Sequence, residues 1–460
     1  MDLTRVPGRG DVLRKRFGRQ IKQSIVRIRL TVNRQSVDHR GRILQGFVKA
    51  LFNRRFRSLL LAIAGVPIAV SYLWNAFLQP LLNPNLVPTD FHEAYLTAAA
   101  AIAAGQDPYG PCHNAACFQQ LTNSASVYPP LLGWLLQPVI NVNQTVLVVG
   151  ALVTCQIAVM TFLIATLMAL RVSDWQLVVL CAIVTLSYPP LLDQIRYLNV
   201  QIVLLGLSGI WLLGWTRRDV WWGGIATGMG IALKLVQAPT LLLILWRRRL
   251  AMLLAAVAAW IILWAVAVPQ YLPEYLFRVL PAAGGGTGYA KNIAPIATLA
   301  RLLHPQAMGH PELGTGVGPF ERAVATLAAL GALALTAYCL GRSSRPVELA
   351  PIEAAAAVAV APLLSTLLWP GQLALLLLPF VVMIVFLVRA GEWRLLTITG
   401  FAWALTGPIY LAFTNAYASG YYWLPIIRPW AESALVGMVL LWVAVLMTLQ
   451  MYRRPEPVRA

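Results

Sequence analysis

The sequence predicts an all-α polytopic membrane protein, and three observations carry that expectation. Of its 460 residues, 59% are hydrophobic and only 12% are charged, a balance foreign to a single soluble globule. The apolar residues gather in repeated continuous runs, each close to the ~20 residues a helix needs to cross hydrocarbon. These runs are rich in Leu, Ala and Val and lack the two-residue alternation of a barrel strand, so the backbone has to satisfy itself within helices.

Basic clusters order the crossings. Sixteen of the 36 Lys and Arg residues precede the first apolar run, which places the amino terminus in the cytoplasm by the positive-inside rule. Residues 1–57 read as a basic cytoplasmic tail, and VLRKRFGRQIKQSIVRIRL within it has the pattern of an amphipathic helix on anionic lipid. This distribution accounts for the net charge of +19 without nucleic acid. The transmembrane region then runs over 58–452. Crossings are expected at 58–78, 143–170, 175–192 and 198–215. Residues 221–246 lie between two basic clusters, Arg217 with Arg218 and Arg247 with Arg248 and Arg249. They form either two tilted partial helices or a re-entrant pair with Lys234 and Gln237 near its tip. Crossings at 250–269, 322–341, 350–368, 373–389, 395–412 and 431–451 lead to a cytoplasmic tail, 453–460. The number of crossings is even, ten to twelve.

Two external loops, about 79–142 and 270–320, are too long to be mere connectors. The first holds DFHEAYLTAAAAIA, a turn at GQDPYG, and VYPPLLGWLLQPV, which is too short to span and reads as an interfacial helix. The second holds a glycine cluster, AKNIAP and two histidines. In the first loop, an oxidising exterior permits a Cys112–Cys117 disulfide; a metal site with His113, or two free thiols, are the other readings. Cys155, Cys181 and Cys339 fall in crossings and read as small packing residues.

Ionisable groups concentrate where the chain leaves its first crossing. On a helix beginning near Asp90, Asp90 and Glu93 lie on one side, with Thr89 or Asp90 as N-cap. A carboxylate there is suited to cap a helix, pair with an arginine, bind a cation or take a proton from a hydroxyl. Lys234 in an apolar helix is costly unless it snorkels, pairs with an acid or meets an anion.

The succession of motifs resembles the GT-C superfamily of membrane glycosyltransferases, and within it the polyprenyl-phosphate-mannose-dependent mannosyltransferases of glycosyltransferase family 87. The matching pieces are Asp90, Phe91 and Tyr95; Gly105, Pro108 and Tyr109; Tyr128, Pro129 and Pro130; Asn199 and Gln201; Gly224, Gly228, Lys234 and Pro239; and Asn292. The resemblance extends over about 58–305. It departs at APLLSTLLWPGQLALLLLPF, where relatives carry a histidine and this chain has Trp369 and Gln372, so that Gln372, His304 or His310 takes its place.

The resemblance implies transfer of a sugar, mannose first, from a polyprenyl phosphate to a glycolipid or lipid-linked glycan on the extracytoplasmic face. Asp90 is the implied general base, and His92, Glu93, Tyr95, Tyr128, Arg196, Asn199, Gln201, Lys234, Lys291, Asn292, Trp369 and Gln372 are the candidate substrate contacts. A phosphate leaving group needs no proton at neutral pH, so a single carboxylate and nearby cations suffice for an inverting displacement, without a metal or other cofactor. Tyr95, Tyr109, Tyr128 and Trp369 are stacking candidates for sugar rings, although aromatics also line ordinary membrane interfaces. Donor, acceptor and membrane lipids are the expected partners. The alternatives are a secondary transporter or flippase of an envelope precursor, and a non-catalytic assembly partner. A transporter calls for ionisable groups in the middle of several crossings, whereas here they sit in the loops.

Overall fold

The computed structural model describes residues 54–83, 90–110, 128–217, 220–309, 314–341, 347–418, 430 and 432–452. Residues 1–53 and 453–460 of the tails, Thr89, Cys112, His113, Cys117, Arg218 and His310 lie outside the described residues. The chain forms two compact units, Met1–Ala62 and Ile63–Ala460, and every contact below is within the second.

The described residues are helical and contain no strand. Helix α1 (Arg54–Leu73) runs on through a π-turn, Trp74–Leu78, to Gln79–Leu82. After it, α2 (Asp90–Leu96, wound as a π-helix, then Thr97–Ala103) and α3 (Leu131–Leu136) are the short helices expected of the first loop. Next come α4 (Gln144–Ala169), α5 (Trp175–Leu186), α6 (Pro189–Arg196) and α7 (Gln201–Thr216). They are followed by α8 (Trp221–Leu233), α9 (Pro239–Trp246) and α10 (Leu250–Ala267). Short helical turns fill 269–284 and lead to α11 (Pro295–Leu303) and α12 (Pro319–Leu340). The chain closes with α13 (Ala350–Val360), α14 (Leu377–Ala390), α15 (Trp393–Thr406), α16 (Pro408–Ala418) and α17 (Ser433–Met451). Among the described residues seven helices are long and apolar enough to cross a membrane, or eight if the bent pair α5–α6 counts as one span. Three shorter apolar helices, Gln201–Thr216, Leu235–Trp246 and Ala350–Leu364, account for the higher number read from hydropathy.

The helices break where prolines dictate. Pro189 and Pro190 start α6 because a ring nitrogen without N–H is harmless at a helix start, and the chain bends there by 56°. The 221–246 segment forms two short helices that meet at a break over 234–238. Its legs of 13 and 8 helical residues reach about 20 and 12 Å at 1.5 Å per residue, short of the ~30 Å hydrocarbon core. Both ends of the segment sit beside arginines. Lys234 lies at the break in extended conformation (φ −164°, ψ 126°) and terminates α8, near the tip where the sequence reading of a helix pair put it.

An arginine end and an apex end can be distinguished. At the first, Arg389 donates to the carbonyls of Leu170 and Arg171 at 2.7 and 2.9 Å. Arg249 donates to the Trp215 carbonyl, and Arg247 pairs with Glu353 and reaches the Leu340 carbonyl at 2.9 Å. Cationic donors thus meet the unpaired carbonyls and negative dipole ends of α4, α7 and α12. The other end of α7, where Asn199 and Gln201 lie, faces α2 and the α8 apex.

Glycines allow the hairpin to seat. A Cβ on Gly224 would stand 2.1 Å from the Met252 carbonyl oxygen, and one on Gly228 would stand 2.2 Å from that of Ala256. Since these two lie one turn apart on α8, α8 and α10 touch backbone to backbone, which seats Lys234 beside the first loop. A valine at Gly228 forces the helices apart, with an expected loss of about 1–3 kcal/mol; thermal unfolding of Gly228→Val in detergent at the wild-type temperature would contradict this packing.

Candidate active site

The π-winding of α2 decides what its carboxylate meets. Bonding from i to i+5 places Asp90 and Tyr95 over the same neighbour, the turn between α6 and α7. Asp90 Oδ2 accepts from Asn199 Nδ2 at 2.6 Å, and Tyr95 OH accepts from the Val200 amide at 3.3 Å. Glu93 is exposed, and because Asp90–Leu96 is wound as a π-helix, the α-helical spacing that put it on one side with Asp90 does not apply. His92 turns to Gln144, with 3.2 Å between His92 Nε2 and Gln144 Nε2.

Tyr128 closes the cluster. Its hydroxyl accepts from Asn199 Nδ2 at 3.2 Å, and its ring meets that of Tyr95 edge-on at 4.9 Å. The two phenols are also hydrogen-bonded to each other. Burial raises the pKa of both, and the Asp90 charge adds to the effect, so both remain protonated at neutral pH. Tyr109 donates to the Tyr128 carbonyl at 3.1 Å and stacks on Tyr275 at 6.0 Å. Asp107, in the GQDPYG turn, accepts from the Tyr109 amide at 2.9 Å and lies 3.4 Å from Arg278. The turn thereby fixes the backbone under Tyr128.

Lys234 enters this cluster from the apex. Its Nζ lies 4.9 Å from the Tyr128 ring centroid and within electrostatic reach of Asp90. It is buried and has no hydrogen-bond partner among the described residues. A cation over an aromatic face is partly compensated, but its three N–H donors are left for a ligand. Asp193 on α6 lies within electrostatic reach of Asp90, Arg196 and Lys291. Arg196 and Lys291 are exposed. The sequence gathers these charges only because α6, the α8–α9 hairpin and the 287–294 loop end at the same place.

Other candidates take different positions. Asn292 is wholly buried: Nδ2 donates to the carbonyls of Thr287 and Thr366, and Oδ1 accepts from the amides of Ala294 and Leu368, all within 3.2 Å. It is a clip between two loops, with no capacity left for a substrate. Gln201 is buried at the start of α7, and both of its amide atoms lack partners among the described residues. Gln372 borders an apolar crevice with Trp211 and Val236, and Trp369 meets Tyr289 edge-on at 6.0 Å. His304 pairs with Glu321 at 3.1 Å.

One element escaped the sequence reading altogether. Arg301, 2% exposed, directs all five donors at Glu432 carboxylate oxygens, the Thr298 hydroxyl and the carbonyls of Tyr289 and Asn292. An arginine in an amphipathic nonamer reads as surface; only its partner, 131 residues away, places it inside.

The family model of glycosyltransferase family 87 matches residues 127–370, more than half of the chain, and the chain belongs to that family. It is a membrane glycosyltransferase. No curated protein matches it. The match takes in Tyr128, Asn199, Lys234 and Asn292, and begins after Asp90.

Removing one member of a buried ion pair costs about 3–5 kcal/mol, whereas replacing both by apolar groups costs far less. Arg301→Met is therefore expected to destabilise by that amount and Arg301→Met with Glu432→Met by clearly less. Equal melting curves for the single variant and wild type would refute a structural role for the pair.

Proposed function

We propose that this glycosyltransferase moves a sugar, mannose in the first instance, from a polyprenyl phosphate to a glycolipid or lipid-linked glycan, with inversion. The observation that carries the reading is a carboxylate held on one oxygen by Asn199 and faced by a buried ammonium, Lys234, with no hydrogen-bond partner among the described residues. The reaction needs these two charges. Asp90 takes the proton from the acceptor hydroxyl as that oxygen attacks the anomeric carbon. The bond from that carbon to the phosphate oxygen breaks, and Lys234 balances the charge that develops on the departing phosphate. Arg196 and Lys291 supply further positive potential at the entrance. Tyr95 and Tyr128 hold the base assembly, and Tyr128, the less buried of the two, offers an aromatic edge to a sugar.

The site belongs to the end opposite Arg247, Arg249 and Arg389. With the basic end in the cytoplasm, the reaction takes place on the extracytoplasmic side of a bacterial inner membrane, where lipid-phosphate sugars are a suitable activated donor. Lys234, lying at the break between α8 and α9, is placed to meet a headgroup whose tail stays in the bilayer.

Asp90→Asn is expected to lower turnover by a factor of about 10²–10⁴ while donor binding persists. Lys234→Met is expected to weaken donor binding about 10–100-fold, the worth of a charge-assisted hydrogen bond. The decisive measurement is mass spectrometry of membrane glycolipids from a deletion strain carrying wild-type or variant protein. An acceptor short of one sugar, restored by wild type and not by Asp90→Asn, supports the reading and its mass difference identifies hexose or pentose; an unchanged profile refutes it.

A further inference from the structure

Asn199 was expected to contact substrate, yet its bonds are already committed. It is 4% exposed. Its Oδ1 accepts from the Gln201 amide at 2.9 Å. Because a backbone N–H needs an acceptor, this bond settles which end of the amide is oxygen. The NH₂ group must then face the other way, where its two hydrogens meet Asp90 Oδ2 at 2.6 Å and Tyr128 OH at 3.2 Å. Nothing of the side chain remains for a ligand.

The backbone around it is held as firmly. Leu198 is buried with φ 47°, a left-handed conformation that a branched aliphatic residue adopts only when its surroundings impose it. The next amide but one, Val200 N–H, is taken by Tyr95 OH. The α6–α7 turn is thus held by residues of the first loop at Asn199 and at Val200.

From this we infer that Asn199 is a positioning residue for the base: by holding Asp90 Oδ2, it leaves Oδ1 as the oxygen that receives the acceptor's proton. This inference rests on the reading of Asp90 as general base. A carboxylate free to rotate presents either oxygen in many orientations, whereas one pinned through Oδ2 presents a single oxygen in a single direction, and misplacement of a reacting group by ~1 Å costs about 10²-fold in rate. Among the described residues Oδ1 has no hydrogen-bond partner. The ionisable groups that face Asp90 are Tyr95 on its own helix, Tyr128, Asp193 and Tyr197 on and just after α6, and Lys234 at the apex.

Asn199→Asp tests this without breaking the turn. Aspartate is nearly the same shape and still accepts from Gln201 N–H, but it turns an oxygen toward Asp90 where the NH₂ group stood. The variant would be purified in full length, and its melting temperature compared with wild type to establish folding. Turnover of the polyprenyl-phosphate sugar that wild type uses, with glycolipid from the deletion strain as acceptor, would be followed from pH 5 to 9. The expected result is a fall in kcat of about 10²-fold, a donor KM within about threefold of wild type, and an acidic limb of the pH profile displaced upward by about one unit, because two adjacent carboxylates share a proton. Asn199→Ser retains an acceptor for Gln201 but loses the donor reach to Asp90; it is expected to lose kcat with the acidic limb near its wild-type place.

If Asp90→Asn is inactive while Asn199→Asp keeps wild-type kcat and an unmoved profile, the positioning role is overturned and the base assignment stands. If Asp90→Asn itself retains activity, the reading on which the inference rests has failed. A rise in donor KM with unchanged kcat in Asn199→Asp would return Asn199 to the substrate contacts and overturn the inference as well.

Discussion

A helix interrupted inside hydrocarbon exposes amides and carbonyls that no water reaches, and this constraint shapes everything near the site. The chain interrupts its helices at 187–188, 197–200, 234–238 and 361–376. Side-chain hydrogen bonds tie these breaks to their surroundings. Tyr188 reaches the Thr406 hydroxyl at 3.0 Å. Asn199 takes the Gln201 amide. Gln237 donates to the Leu204 carbonyl at 2.8 Å, and Trp264 caps the Ala232 carbonyl at 3.0 Å. Asn292 satisfies four backbone groups of the loops around it. Polar atoms concentrate at the breaks because the breaks require them, and the site grows out of that concentration.

The same logic separates the two ends. Arginines gather at one, where helix C-termini offer carbonyls and a negative dipole. The opposite end holds Asp90, Asp193 and Lys234, groups whose pairing within the protein is incomplete. A fully neutralised cluster would be inert toward ligand, since its donors and acceptors would have been spent. Close contact between α8 and α10, permitted by Gly224 and Gly228, brings the ammonium of Lys234 to this end on a leg too short to cross.

Lipid-facing and buried helices also divide by function. Pro370–Ala390 is the most apolar candidate span, with mean hydropathy 2.7, and 78% of its window is buried, whereas Ser58–Leu82, with mean hydropathy 1.7, is 6% buried. Hydropathy measures the medium a segment tolerates and does not distinguish protein from lipid. The buried helices α13 and α14 frame the loop that Asn292 clips, while α1 and α12 turn large apolar side chains outward, as helices next to hydrocarbon do.

From the sequence alone the class, the helix succession and the family could be read, because apolar runs, prolines and glycines act locally: each of them constrains its own few residues whatever surrounds it. The short helix after Tyr128 was legible for that reason, whereas the bend at SYPP, inside a crossing read as continuous over 175–192, was not. The winding of α2, and with it the spacing that relates Glu93 to Asp90, was not legible either, since a π-turn is selected by what it packs against. Nor was the commitment of Asn199 and Asn292, identical in type and both embedded in recognisable motifs, one to a carboxylate and the other to backbone. Arg301 shows the limit most plainly: its partner Glu432 lies in another helix pair, and the free energy of a buried charge depends on the distance to its counter-charge, a quantity that exists only once the chain has folded.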